Sequence, residues 1–155
     1  FGRESLSVTP DQIQAWVTEQ VERLAAMSPV DYVKPHGALY HGMHQQPTVM
    51  EAIRRAIGEL PLMGPAPYAE GLCWSEAFAD RRYQADGTLV SRSEARAVLN
   101  ETETLAQVRQ LISDGSVTTD SGSTLALEAT TLCVHGDNPA GVRSIRAIRE
   151  ILDAG

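Results

Sequence analysis

The chain has 155 residues, 43% of them apolar, and a formal net charge of −7. That length suffices for one globular domain with a real core, and charges well mixed with apolar residues exclude a disordered chain. No basic stripe or Lys/Arg block is present, which argues against a nucleic-acid binder, and the longest apolar runs are too short to cross a bilayer.

Thr9-Pro10-Asp11 opens the first helix, with a Thr N-cap, Pro at the first helical position and an acid in the first turn. Ile13, Trp16, Val17, Val21, Leu24 and Met27 follow at helical spacing, and the helix is expected to run to about Ala26, where Ser28-Pro29 stops it. Asp31 to Lys34 reads as a short strand ending in the loop signal Pro35-His36-Gly37. His41 and His44 are expected in a solvated polar loop. A second helix covers about Thr48 to Glu59, with Val49, Ile53, Ala56, Ile57 and Leu60 on one face. Leu60 to Met63 reads as another short strand, broken by Gly64-Pro65. Leu72 to Ser75 is a third apolar run.

Asp86-Gly87 is a turn signal between Arg82-Tyr83 and Thr88 to Val90. Leu105 to Ile112 is helical and Asp114-Gly115 closes it. Thr130 to His135 is the clearest strand. The last helix runs from about Pro139 to Leu152, with Val142, Ile145, Ile148, Ile151 and Leu152 as its apolar face. Arg143, Arg146 and Arg149 form a solvated one. Strand and helix alternate, the signature of an α/β fold with a parallel sheet.

Cys73 and Cys133 each sit in an apolar strand-like run and are expected to be buried free thiols of a cytoplasmic protein. Of the 13 cationic side chains only Lys34 is a lysine. Such a bias usually reflects genome composition, and the single lysine is then either a matter of chance or kept where a compact ammonium, or one able to lose its proton, is needed.

The unusual polar residues gather directly after the strands, where parallel β/α folds carry their catalytic groups. Period two puts Tyr32, Lys34 and His36 on one face of their strand, and Cys133 and His135 on one face of theirs, opposite Leu132 and Val134. The glycines after each histidine, Gly37 and Gly136, let the backbone turn sharply or approach a ligand. Glu76, Asp80 and Arg81 read two ways. They are either a salt-bridge network holding a loop, or a site where Arg81 or Arg92 binds a carboxylate or phosphate while Glu76 or Asp80 works as an acid/base group.

Three longer motifs carry a family resemblance. Lys34-Pro35-His36-Gly37-Ala38-Leu39-Tyr40 comes first. Glu76-Ala77-Phe78-Ala79-Asp80-Arg81-Arg82-Tyr83 follows, with Asp86-Gly87-Thr88-Leu89-Val90 and Arg92. Cys133-Val134-His135-Gly136-Asp137-Asn138-Pro139 comes last. In this order they resemble the LamB/YcsF family of 5-oxoprolinase A subunits over nearly the whole chain. Where the family has Pro-Gly-Ala, this chain reads Ala95-Arg96-Ala97, which leaves a tight turn there open.

The resemblance implies an irregular (β/α) barrel of the glycoside hydrolase/deacetylase type. Three further family motifs would precede Phe1. The expectation is therefore a single partial barrel over residues 1–155, lacking its N-terminal βα units, incomplete or filled by another copy or chain. The implied activity is ATP-dependent opening of 5-oxoproline, a lactam, to L-glutamate with partner subunits B and C. Lys34 would bring charge to the phosphate or developing oxyanion. His36 and His135 would be acid/base candidates with Asp137 orienting one of them, and Glu76 and Asp80 further catalytic candidates. Arg81, Tyr83, Arg92 and Tyr40 would bind substrate. Two alternatives stay open: a metal-dependent, deacetylase-like C–N hydrolase with His36 and His135 among the ligands of a divalent ion, and a non-catalytic substrate-binding subunit.

Overall fold

A computed structural model describes residues 7–68 and 70–154. They form two compact units. One holds the described residues up to Gly64 together with Tyr68–Trp74, and the other holds Pro65–Pro67 and the described residues from Ser75 onward. Among the described residues no helix is long and apolar enough to cross a membrane.

In the first unit, α1 spans Pro10–Ala25. Thr9 and Gln12 close a capping box: the Thr9 hydroxyl accepts from the Gln12 N–H at 3.3 Å, and the Gln12 side chain accepts from the Thr9 N–H at 2.9 Å. Only Ile13 and Val17 of its apolar residues are buried; Trp16 and Leu24 stay exposed, as does Met27 beyond the helix end. α2 is Gly37–Gln45, where a loop was expected. It places His41 and His44 on a helix, His41 exposed and His44 half-buried. Two glycines and two histidines in nine residues give weak helical propensity. Burial of Tyr40 and Met43 supplies what propensity does not. A Cβ on Gly64 would lie 2.6 Å from the Met43 methyl and 2.8 Å from Leu72 Cδ1, so glycine there lets the chain pass against Met43.

α3, Pro47–Ile57, buries Val49, Ala52, Ile53 and Ile57 and packs against α1. It stops at Gly58, whose φ is 58°, two residues earlier than expected. The expected strand over Asp31 to Lys34 reduces to a single parallel bridge, Val33 to Leu62. The short strand β1 is Met63–Pro65, its last residue belonging to the other unit, and it runs through the Gly64-Pro65 expected to break it.

In the second unit, β2 (Trp74–Phe78, its first residue belonging to the other unit) pairs in parallel with β5 (Thr131–Cys133) in the register Glu76–Thr131, Ala77–Leu132, Phe78–Cys133. The α/β reading with a parallel sheet is borne out. Between these strands lie α4 (Glu101–Asp114) and the antiparallel pair β3 (Ser116–Thr118) and β4 (Thr124–Ala126). The closing helix, α5, is Pro139–Ala154. α4 begins a turn before its apolar run because Asn100 and Glu103 form a capping box, and it ends at Gly115 in the left-handed region.

Leu132 and Val134, on one face of β5 and its extension, pack with Leu105 and Ile151 against Ala79, Val108 and Ile148. α5 buries Gly141, Ser144 and Ile148, whereas Val142, Ile145 and Leu152 of its expected apolar face are exposed. The Asp86-Gly87 turn forms as expected, with Tyr83 bridged to Leu89. The turn left open at Ala95–Ala97 also forms: the Ala97 N–H donates to the Glu94 carbonyl at 3.1 Å without any proline or glycine. Cys73 and Cys133 are free thiols, but Cys73 is exposed and Cys133 half-buried, not buried as expected.

Candidate active site

The parallel register of β2 and β5 builds a polar pair at their carboxyl ends. Phe78 faces Cys133 across the ladder, so the residues two further on, Asp80 and His135, emerge on corresponding sides. The Ala79 N–H continues the ladder to the Cys133 carbonyl at 2.9 Å. Asp80 is fully buried. Its Oδ1 lies 2.8 Å from His135 Nδ1, and its Oδ2 accepts from the His135 backbone N–H at 3.2 Å and from Asn138 Nδ2 at 3.0 Å. Burial pushes the Asp80 carboxyl up, but the hydrogen bonds from His135 and Asn138 outweigh it and hold the group below the usual carboxylate value. Asp80 is therefore a carboxylate that can only accept, so the proton of His135 sits on Nδ1, and Nε2 is left to take or give a proton. The ring stacks on Phe78, centroids 5.3 Å apart at 14°. Its side chain is 25% exposed against 0% for Asp80, so the imidazole meets solvent and the carboxylate does not.

This arrangement corrects one expectation: Asp80, not Asp137, orients a histidine. Asp137 instead pairs with Arg92, Nη1 to Oδ2 at 2.8 Å and Nη2 to Oδ1 at 3.5 Å. The Arg92 hydrogen bond holds the Asp137 carboxyl below its usual value. Arg81 is buried, with Nε on the Ala97 carbonyl at 3.2 Å and Nη2 on the Val90 carbonyl at 2.8 Å. Burial first, and the Arg92 guanidinium second, pull its pKa down. Those carbonyl contacts make Arg81 a brace for the loop after β2.

Tyr83 is buried as well, and its hydroxyl accepts from the Phe78 N–H at 2.8 Å; burial raises the phenol well above its ordinary pKa. It supports the strand end from inside and offers little surface to a substrate. Glu76 lies inside β2, buried and opposite Thr131, rather than after the strand as expected.

Lys34, His36 and Tyr40 belong to the first unit. Lys34 Nζ sits 6.0 Å from the Tyr40 ring centroid. His36 is exposed, in extended backbone just before α2, and makes no side-chain cap. Gly37 has a φ of 60°, as expected for a sharp turn; Gly136 does not take a positive φ. Tyr40 is buried and meets His41 and His44 edge-on at 5.8 and 5.9 Å, while His44 stacks on Tyr68 at 5.0 Å. Burial first, and the neighbouring His41 second, lower the His44 pKa.

Three residues of the Asp80 surroundings were not read from the sequence. Asn138 precedes a Pro-led helix, a position at which capping rules flag Asn. Gln107 falls among Thr104 and Val108 on the inward face of α4 and donates to the carbonyls of Phe78, Ala79 and Arg81 at 2.8, 3.2 and 2.9 Å. Gly141 lets α5 approach: a Cβ there would lie 3.1 Å from Asp80 Oδ2 and 3.1 Å from Asn138 Nδ2. Among the described residues no three His, Cys, Asp or Glu side chains gather so as to hold a metal ion.

An α/β protein with a buried carboxylate orienting a histidine at the ends of parallel strands is what fold and site define together. The LamB/YcsF family model matches residues 1–155, and the chain belongs to that family. It is 43% identical to the 5-oxoprolinase A subunit numbered 3 of Pseudomonas syringae pv. tomato, over 99% of this chain and 67% of that protein. It is 40% identical to the 5-oxoprolinase A subunit of Chloroflexus aurantiacus, over 99% of this chain and 68% of that one. The crystal structure of a lactam utilization protein from Thermus thermophilus superposes with a TM-score of 0.85 at 29% identity, over 98% of this chain and 69% of that one.

Proposed function

We propose that this chain acts as the A subunit of a 5-oxoprolinase, opening the cyclic amide of 5-oxoproline to L-glutamate with partner subunits B and C and with ATP hydrolysed through the complex. The observation that carries the reading is the Asp80–His135 pair, in a chain whose relatives bear that subunit's name. A five-membered lactam is nearly unstrained and its amide is resonance-stabilised. Opening it takes an activated carbonyl, a base for water and a proton for the departing nitrogen. Nε2 of His135 takes the proton from water and returns one to the nitrogen. Asp80 fixes the tautomer and balances the imidazolium that forms. Arg92 already grips a carboxylate, that of Asp137, through two nitrogens, and the substrate carboxylate would take Asp137's place. Lys34 and His36 enter this reading through the family motif that carries them, which gives Lys34 charge for the phosphate or developing oxyanion and His36 a second acid/base role.

The test is glutamate formation from 5-oxoproline and ATP by the chain reconstituted with subunits B and C. His135→Ala is expected to lose roughly 10²- to 10⁴-fold in kcat, the usual reach of general acid–base catalysis. Lys34→Ala is expected to lose turnover while both variants keep the parent circular dichroism. Parent rates in both would remove these residues from the reaction. Undiminished substrate binding beside those parent rates would leave a binding subunit in its place.

A further inference from the structure

We propose that Asn138 is a positioning residue for the His135 ring, its amide nitrogen holding Asp80 while its amide oxygen caps α5, so that helix start and carboxylate move as one piece. Asn138 is buried. Its Nδ2 donates to Asp80 Oδ2 at 3.0 Å, and its Oδ1 accepts from the Ala140 N–H at 3.1 Å. Its backbone is tied too, the N–H to the His135 carbonyl at 3.3 Å and the carbonyl to the Val142 N–H at 3.0 Å. The two side-chain bonds need a donor at one end and an acceptor at the other, within reach of a single short side chain. Among short side chains asparagine offers that: an ionised aspartate has no donor, and serine caps with its one hydroxyl, which is too short to reach Asp80 as well. Gly141 leaves room for the contact. The charged groups bearing on this corner are Asp80 from the end of β2, the Arg92–Asp137 pair, and Arg81 through Asp80 and Asp137. The inference rests on the reading of His135 as the proton-handling group.

Two variants separate positioning from capping, because Ser, Asp and Asn are nearly equal N-caps. Asn138→Ser keeps the cap and loses the donor to Asp80. Asn138→Asp keeps the cap and has a donor only while the introduced carboxyl is protonated. In the reconstituted complex Asn138→Ser is expected to lose about ten- to a hundredfold in kcat at unchanged KM, the range spanned by a hydrogen bond to a charged group. The deficit of Asn138→Asp is expected to be smallest at acid pH and to grow as the introduced carboxyl ionises, a dependence absent from Asn138→Ser. In the full chain, the downfield proton resonance of His135 Nδ1–H, assigned by its loss in His135→Gln, should broaden or vanish in Asn138→Ser. Parent kcat in both variants with an unmoved resonance would show that Asn138 only caps α5, and would overturn the proposal. Normal turnover by His135→Gln would instead sink the proton-handling reading, while a disturbed resonance in Asn138→Ser would still uphold the contact.

Discussion

Each oxygen of Asp80 has a separate duty. Oδ1 faces the His135 ring; Oδ2 takes the two other donors, the His135 N–H and Asn138 Nδ2. Asn at position 80 can keep all three contacts, with its carbonyl oxygen where Oδ2 was and its amide nitrogen where Oδ1 was. That nitrogen donates, so His135 Nδ1 must become the acceptor and the ring proton moves to Nε2. Asp80→Asn is therefore expected to fold and to lose its base. In the reconstituted complex its kcat should fall by roughly 10²- to 10⁴-fold with KM close to the parent value. Histidine nitrogen NMR on the full chain would show the ring changing tautomer. An Asp80→Asn protein with parent kcat would mean that the tautomer of His135 does not matter to turnover. The sequence placed Asp80 and His135 correctly after strands, and strand alternation put Leu132 and Val134 on the helix-facing side, where they pack. It could not say which acid meets the imidazole. Asp137 is two residues from His135 in sequence, but the partner is set by strand register, and register is a pairing across more than fifty residues of chain that local pattern does not encode.

The elements that hold this pair were legible to unequal degrees. α1 announces itself through its Thr9 cap and Pro10, and both α1 and α5 through long periodic runs. α2 does not, because glycine and histidine give little helical preference and burial of Tyr40 and Met43 decides the outcome. Of the five residues read as the apolar face of α5, Ile148 is buried and Ile151 half-buried, and the other three are exposed. The helix turns small residues, Gly141 and Ser144, inward because it lies close over Asp80 and Val134, and close approach favours small side chains over large ones. Gly141→Ala tests this directly. Alanine raises helical preference by about 1 kcal/mol over glycine, while its Cβ would crowd three atoms at 3.1 Å, including the bonded pair Asp80 and Asn138. Overall stability is expected to stay within about 1 kcal/mol of the parent by urea unfolding, and kcat to fall as the pair is displaced. An unchanged kcat would show that α5 gives way without disturbing Asp80. On α4, Gln107 closes the other side of the strand end: with two amide hydrogens shared among three carbonyls, it pins Phe78, Ala79 and Arg81 together.

For the molecule as a whole, the buried carboxylate makes stability depend on pH in a determinate direction. Asp80 is held below the ordinary carboxylate value in the folded state and regains that value on unfolding. As pH falls, the unfolded chain takes up its proton first, so folding weakens. The contribution of Asp80 is complete above the ordinary value of 3.8, and it is lost as pH falls through the lower folded-state pKa. Asp86 and Asp137 are lowered as well, but both are exposed, and salt screens them far more than it screens the buried Asp80. Urea midpoints of the full chain, taken in about 0.5 M NaCl between about pH 5 and pH 3, should therefore fall with acid in the parent and fall less steeply in Asp80→Asn, which has no proton to gain at that position. Parallel slopes for the two proteins would mean that the hydrogen bonds from His135 and Asn138 do not outweigh burial, and that Asp80 titrates alike in the folded and unfolded chains.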